Sequence, residues 1–253
     1  MKSLPAFLLT ATVTLAICTT VRAADEKPAP GKQTAQSAEV PTSTGGKMTL
    51  HYWLSLPPES EKKPEGGWPV MFFMHGAGER GTNLDLIKKH GPPKLAGKTP
   101  ELNKFIIVSP QWPDSKTWWD TAALKGLIDH TLATQPVDKD RVTLTGLSMG
   151  GYATWSLLAA YPDLAACAVP ICGGGDPSKA ESFKHVPIHC YHGAKDNVVP
   201  QKKSDEMIEA LKKAGATPEY TVFPNAAHDS WTDAYADAKL FQWMLARKRA
   251  EKK

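Results

Sequence analysis

Three side chains far apart in the chain form a set that could carry acyl-transfer chemistry. Ser148 lies in Gly146-Leu147-Ser148-Met149-Gly150, Asp196 in His192-Gly193-Ala194-Lys195-Asp196, and His228 in Ala226-Ala227-His228-Asp229-Ser230-Trp231. A serine hydroxyl is a weak nucleophile until a base takes its proton, and a histidine is a reliable base only when a carboxylate fixes its tautomer. The Gly-x-Ser-x-Gly spacing suits a serine on a sharp strand-to-helix turn, where side chains on the flanking residues would collide with the neighbouring backbone. His228 is the only histidine after His192. The order Ser, Asp, His matches one known arrangement of such triads. Asp176, in Gly173-Gly174-Gly175-Asp176-Pro177, is the competing acid, but it reads better as a turn residue. Asp229 adjoins the base and is not placed by order to orient it.

Attack on a carbonyl also needs donors for the oxygen that becomes negative. Met149 begins the segment after the serine, so its N–H is a natural donor at a helix N-terminus. The second donor is expected from His75-Gly76-Ala77-Gly78-Glu79-Arg80-Gly81, as Ala77 N–H or alternatively Gly78 N–H. His75 is expected to hold this loop by a hydrogen bond. Glu79 and Arg80 are expected to pair as a brace or to touch substrate. Trp118, Trp119 and Trp231 are candidate aromatic walls for a phenolic or sugar ring.

These residues need a scaffold. Apolar runs of strand length end just before each polar cluster: Val70 to Met74, Phe105 to Val108, Val142 to Thr145, Ala168 to Ile171, Ile188 to Tyr191 and Tyr220 to Phe223. Several lack alternation, as strands covered on both faces do. Met48 to Leu56 alternates in part and reads as an early antiparallel strand. Helical patterns intervene at Trp118 to Ala133, Met149 to Ala160, a segment opened by Pro200, and Asp233 to Ala246. The alternation predicts an α/β fold, with a mostly parallel sheet, helices on both faces and no large lid. Reactive groups of such sheets gather beyond the strands' carboxyl ends, where every cluster above falls.

The 253 residues fit one α/β domain, and 42% hydrophobic with 22% charged is an ordinary globular balance. A net charge of +4 without a basic stripe gives no sign of a nucleic-acid partner. The basic run Arg247 to Lys253 reads as a solvated helix end. Lys2, the apolar stretch Leu4 to Ile17 and Val21-Arg22-Ala23 read as a signal peptide, residues 1–23, cleaved after Ala23. That predicts an exported protein, periplasmic or extracellular, with no stable membrane insertion after cleavage. Residues 24–46, rich in Pro, Ala, Lys, Ser and Gly, read as a flexible linker, and 47–253 as the catalytic domain. Cys167, Cys172 and Cys190 are expected to serve as small core hydrophobes, without a metal-ligand spacing.

The segments Phe73 to Asn83, Gly146 to Gly151, His192 to Asp196 and His228 to Trp231 together resemble the phospholipase/carboxylesterase-like "predicted peptidase" group of the α/β-hydrolase superfamily. That group lies near feruloyl esterases and dienelactone hydrolase relatives. The resemblance covers roughly residues 48–246 and implies serine esterase chemistry on an α/β-hydrolase fold. Dienelactone hydrolases use a cysteine nucleophile, and Ser148 departs from that. The expected function is a secreted serine carboxylesterase acting through an acyl-enzyme, with no metal or organic cofactor. Its substrate would be a small-molecule or polysaccharide-linked ester, such as a feruloyl or acetyl ester of plant polysaccharide. The alternatives are a prolyl-oligopeptidase-type serine peptidase and a non-catalytic ligand-binding relative.

Overall fold

A computed structural model describes residues 27–249. The signal segment, its cleavage site and the last four residues lie outside them. The eight strands are β1 (Gln33–Pro41), β2 (Lys47–Ser55), β3 (Trp68–Met74), β4 (Ile106–Pro110), β5 (Val137–Leu147), β6 (Cys167–Ile171), β7 (His189–Gly193) and β8 (Glu219–Phe223). They form one sheet in the order β1-β2-β4-β3-β5-β6-β7-β8. β1 pairs antiparallel with β2, and β2 antiparallel with β4. Every other pairing is parallel. The helices are α1 (Gly91–Leu95), α2 (Thr121–Thr134), α3 (Met149–Ala160), α4 (Lys202–Lys213), α5 (Trp231–Ala236) and α6 (Ala238–Leu245). Among the described residues, no helix is long and apolar enough to cross a membrane.

The unbroken apolar runs have the expected cause. All of β3 is buried, yet its side chains alternate between two cores. Val70, Phe72 and Met74 join one cluster with Leu124 and Leu127 of α2, Leu157 of α3 and Met207 of α4. Met71 and Phe73 join the other, with Tyr235 of α5 and Phe241 of α6. A strand covered on both faces has no polar side to show, so alternation vanishes from its sequence. The three cysteines are buried and unpaired, as small core residues.

Four expectations need correction. Residues 33–41 are not linker: β1 pairs with β2 along its whole length, from Gln33 opposite Ser55 to Pro41 opposite Lys47. The turn after β1 is also tied to the catalytic domain, because Ser43 donates its N–H and hydroxyl to Asp120 at 2.8 and 2.7 Å. The buried residues of β1 are Thr34, Ala35, Ala38 and Val40, which bury too little apolar surface for the strand to stand out. Helix α2 starts at Thr121, because Asp120 caps it by accepting from Ala122 and Ala123 N–H. The C-terminal helical pattern breaks in two at Asp237, whose extended backbone ends α5 and whose carboxylate caps α6 at Lys239 N–H. The described part of the basic run is not a helix end: α6 stops at Leu245, Arg249 bonds Asp140 at 2.7 Å, and Lys248 lies 3.6 Å from Asp138.

Candidate active site

The carboxyl ends of β3, β5, β6 and β7 converge on Ser148. This serine joins β5 directly to α3, and its backbone is left-handed, with φ 52° and ψ −117°. Only Cys172, at the end of β6 with φ 41°, shares a positive φ among the described non-glycine residues. Such a conformation costs of order 1–3 kcal/mol and persists only where the surroundings hold it. Here Ser148 N–H donates to the Ile171 carbonyl of β6 at 3.0 Å, and α3 begins at once. The glycine spacing has its expected reason: a Cβ on Gly150 would lie 1.9 Å from the Met74 carbonyl oxygen of β3. No side chain fits there, so helix and strand approach only through glycine.

His228 Nε2 lies 2.9 Å from Ser148 Oγ, and His228 Nδ1 lies 2.7 Å from Asp196 Oδ2. Asp196 follows β7, and its other oxygen accepts from Val198 and Val199 N–H, both at 2.9 Å. Burial pushes this carboxyl's pKa up, but the bonds from His228, Val199 and Val198 outweigh it and hold the pKa below the usual carboxylate value. The acid therefore stays ionised beside the imidazole. Asp176, the rival acid, instead caps the turn at Ser178 N–H. The loops bearing acid and base fit closely because β7 ends in glycine: a Cβ on Gly193 would lie 2.1 Å from the Ala227 carbonyl oxygen.

Of the predicted oxyanion residues, Met149 directly follows the serine, and Ala77 and Gly78 follow Gly76. Met149 opens α3, so its N–H has no acceptor within the helix. Ala77 and Gly78 open a single 3-10 turn after β3 and are exposed. Gly76 abuts Ser148, since a Cβ there would lie 3.6 Å from Ser148 Cβ. His75 is buried and aims this loop. Its Nδ1–H donates to the Gly76 carbonyl at 2.6 Å, and its Nε2 accepts from Trp112 N–H at 3.1 Å. In a trans peptide, pinning the Gly76 oxygen turns the Ala77 N–H the opposite way. Arg80 does the same for the next peptide by donating Nε–H to the Ala77 carbonyl at 3.0 Å, and it also bonds the Thr117 carbonyl. Arg80 is thus a brace, but not as a partner of Glu79. The buried Glu79 carboxylate faces His90 at 3.7 Å, and burial pushes its pKa up against the opposing charge of Lys89.

The three candidate aromatic walls separate. Trp231 stands edge-on to His228, 5.2 Å between ring centres, and also meets His90. Trp118 is 59% exposed and stands edge-on to Tyr152, one turn into α3 from Ser148. Trp119 is buried, donates its indole N–H to the His75 carbonyl and tilts against the His75 and Trp112 rings. It supports the loop after β3 and, being buried, presents no wall to a ligand. Sequence reasoning passed over Tyr152, legible afterwards as the residue four beyond the serine. Cys172, Asp196 and His228 bring metal-ligating atoms within 4.8 Å of one another. Both nitrogens of His228 are already engaged, and burial pushes the Cys172 thiol's pKa up, which disfavours the thiolate a metal would need.

The Dienelactone hydrolase family is matched over residues 115–243. A protein of Escherichia coli (strain K12), named as a carboxymethylenebutenolidase, is 35% identical over 157 residues, 57% of this chain and 54% of that protein. The chain thus aligns with about half the length of this curated relative. A bifunctional acetylxylan esterase/xylanase of Neocallimastix patriciarum is 24% identical over 138 residues, 51% of this chain and 21% of that protein. Among solved structures, a thermostable esterase superposes with a TM-score of 0.70 at 29% identity, covering 85% of this chain and 63% of that one. The chain belongs to the dienelactone hydrolase family of the α/β-hydrolase superfamily.

Proposed function

We propose that this chain is an exported serine carboxylesterase. The observation that carries the reading is the unbroken contact from Ser148 Oγ through His228 to Asp196, at 2.9 and 2.7 Å, on a strained strand-to-helix turn. Ser148 Oγ attacks the acyl carbon as His228 Nε2 takes its proton. The carbonyl oxygen becomes negative and is held by Met149 N–H and by Ala77 or Gly78 N–H. Collapse breaks the acyl–oxygen bond, and His228 returns the proton to the leaving alkoxide. A water then repeats the attack on the acyl-enzyme, releasing the acid and restoring Ser148. Asp196 stays ionised throughout and stabilises the imidazolium.

Trp118 and Trp231 stand at the edges of this site, with aromatic faces suited to a phenolic or sugar ring. They favour feruloyl or acetyl esters of plant polysaccharide, and the acetylxylan esterase relative points the same way. Export rests on the apolar segment Leu4 to Ile17 ahead of Ala23. The test is turnover of p-nitrophenyl acetate, methyl ferulate and a peptide anilide by wild type and Ser148→Ala. We expect ester turnover without anilide cleavage, and a loss on the order of 10⁶ in kcat for the variant. Near-normal esterase activity in Ser148→Ala would refute the nucleophile. Faster cleavage of the anilide than of either ester would replace the esterase reading with a peptidase one.

A further inference from the structure

We infer that His192 is a positioning residue: with Ser204 it holds the catalytic carboxylate from behind. The inference rests on the Ser148–His228–Asp196 reading. His192, in β7, and Ser204, in α4, are both fully buried at 0% exposure. A polar ring placed so deep loses hydration and is retained only where its bonds compensate.

The contacts define what the ring does. His192 Nε2 lies 2.9 Å from the Val199 carbonyl oxygen and 3.3 Å from Asp196 Oδ2. Both neighbours are acceptors only, so Nε2 carries a hydrogen and donates it to Val199. On the other side, His192 Nδ1 lies 2.7 Å from Ser204 Oγ, which lies 3.1 Å from the Gly173 carbonyl oxygen. A neutral ring accepts at Nδ1 from the Ser204 hydroxyl. A protonated ring donates there, and the hydroxyl turns to Gly173. Nε2 keeps its hydrogen in both cases.

Two effects on Asp196 follow. Val199 gives its N–H to Asp196 Oδ1 and takes the His192 N–H at its carbonyl, so one residue is clamped on both sides. The loop carrying the carboxylate therefore cannot shift without breaking a buried bond. The polar edge of His192 also faces the oxygen that accepts from His228 Nδ1, so it favours negative charge at that atom. The other titratable groups acting on Asp196 from neighbouring elements are His228 after β8, Cys172 at the end of β6, and Tyr152 of α3. None of these engages Val199. Since β6 ends at Ile171, Ser204 Oγ, 3.1 Å from the Gly173 carbonyl oxygen, also seats the acid's support against the strand end beside Ser148.

The test compares His192→Leu, His192→Gln and Ser204→Ala, with Ser148→Ala as control. Leucine fills the space without the N–H, whereas glutamine can present an N–H at the same reach. The readouts are kcat and KM on p-nitrophenyl acetate, the rate of fluorophosphonate labelling of Ser148, and the low-field proton resonance of the His228–Asp196 bond. We expect His192→Leu to lower kcat and labelling about tenfold to a hundredfold, the range for losing a hydrogen bond to a charged site, with KM within about twofold. Its low-field resonance should broaden or vanish. His192→Gln should recover most of the rate and the resonance. Ser204→Ala, which keeps the ring, should give a smaller loss of the same kind and serves if His192→Leu does not fold. A folded His192→Leu, or a Ser204→Ala, with wild-type kcat and labelling would overturn the inference, as would a folded His192→Gln no better than leucine. An active Ser148→Ala would instead sink the underlying esterase reading.

Discussion

Two strand ends of this molecule carry the same residue pair and use it differently. One is His75-Gly76, just past β3; the other is His192-Gly193, the last two residues of β7. Both histidines are buried, and both bind backbone rather than solvent. His75 carries its hydrogen on Nδ1, toward the Gly76 carbonyl, and so fixes the direction of the Ala77 N–H, the proposed oxyanion donor. His192 carries a hydrogen on Nε2, toward Val199, and so steadies a carboxylate that is negative already. The same residue pair thus supports an anion receptor in one loop and an anion in the other, and the protonated nitrogen makes the difference. A buried histidine is best read through its two partners, since its position alone does not distinguish these uses.

The strongest way to break the comparison is to neutralise the acid. Asp196→Asn should cost on the order of 10⁴ in kcat by favouring the wrong tautomer of His228, with little change in fold. Steady-state kinetics check this, and an equal loss from Asp176→Asn would reassign the acid.

A smaller effect should come from the other loop. His75→Gln is expected to lower kcat about tenfold to a hundredfold, less than the loss of an oxyanion donor outright. It should also change how stability depends on pH. Burial lowers the His75 pKa from 6.5 to about 4, above all by desolvation. Between these values the unfolded chain binds a proton that the folded chain does not. The stabilisation is therefore complete above pH 6.5 and is lost as pH falls toward 4, a change on the order of 3 kcal/mol. Melting temperatures measured across this window should fall less steeply in His75→Gln than in wild type.

The smallest effect should be at Trp119. Trp119→Phe removes the indole N–H that binds the His75 carbonyl and should cost about 1 kcal/mol of stability while leaving KM for methyl ferulate unchanged. Trp118→Ala should instead raise that KM and spare stability, because its ring is largely exposed. Thermal melts and ester kinetics on the pair separate an aromatic support from an aromatic wall.

Much of this was legible in the sequence, for identifiable reasons. Ser148 is marked by glycines that backbone contact requires. Asp196 and His228 are marked by falling just past strand-like runs, which the sheet then brings to one edge. β1 was obscured because Thr34, Ala35 and Ala38 bury little apolar surface, so the strand resembles its polar flanks. The break at Asp237 was missed because apolar periodicity continues across it, while a capping aspartate looks like any exposed one. The role of His192 depends on Ser204 and Gly173, 12 and 31 positions from the partners they meet, and no local pattern signals such contacts.

The left-handed backbone at Ser148 has one further consequence. Glycine would relax that turn, while alanine would keep its strain, so two inert replacements at one site should differ in thermal tolerance. Evolution toward a hardier protein would pull this position toward glycine, and retention of turnover would pull it back. Residue 148 is therefore where robustness and reactivity make opposing demands on a single amino acid.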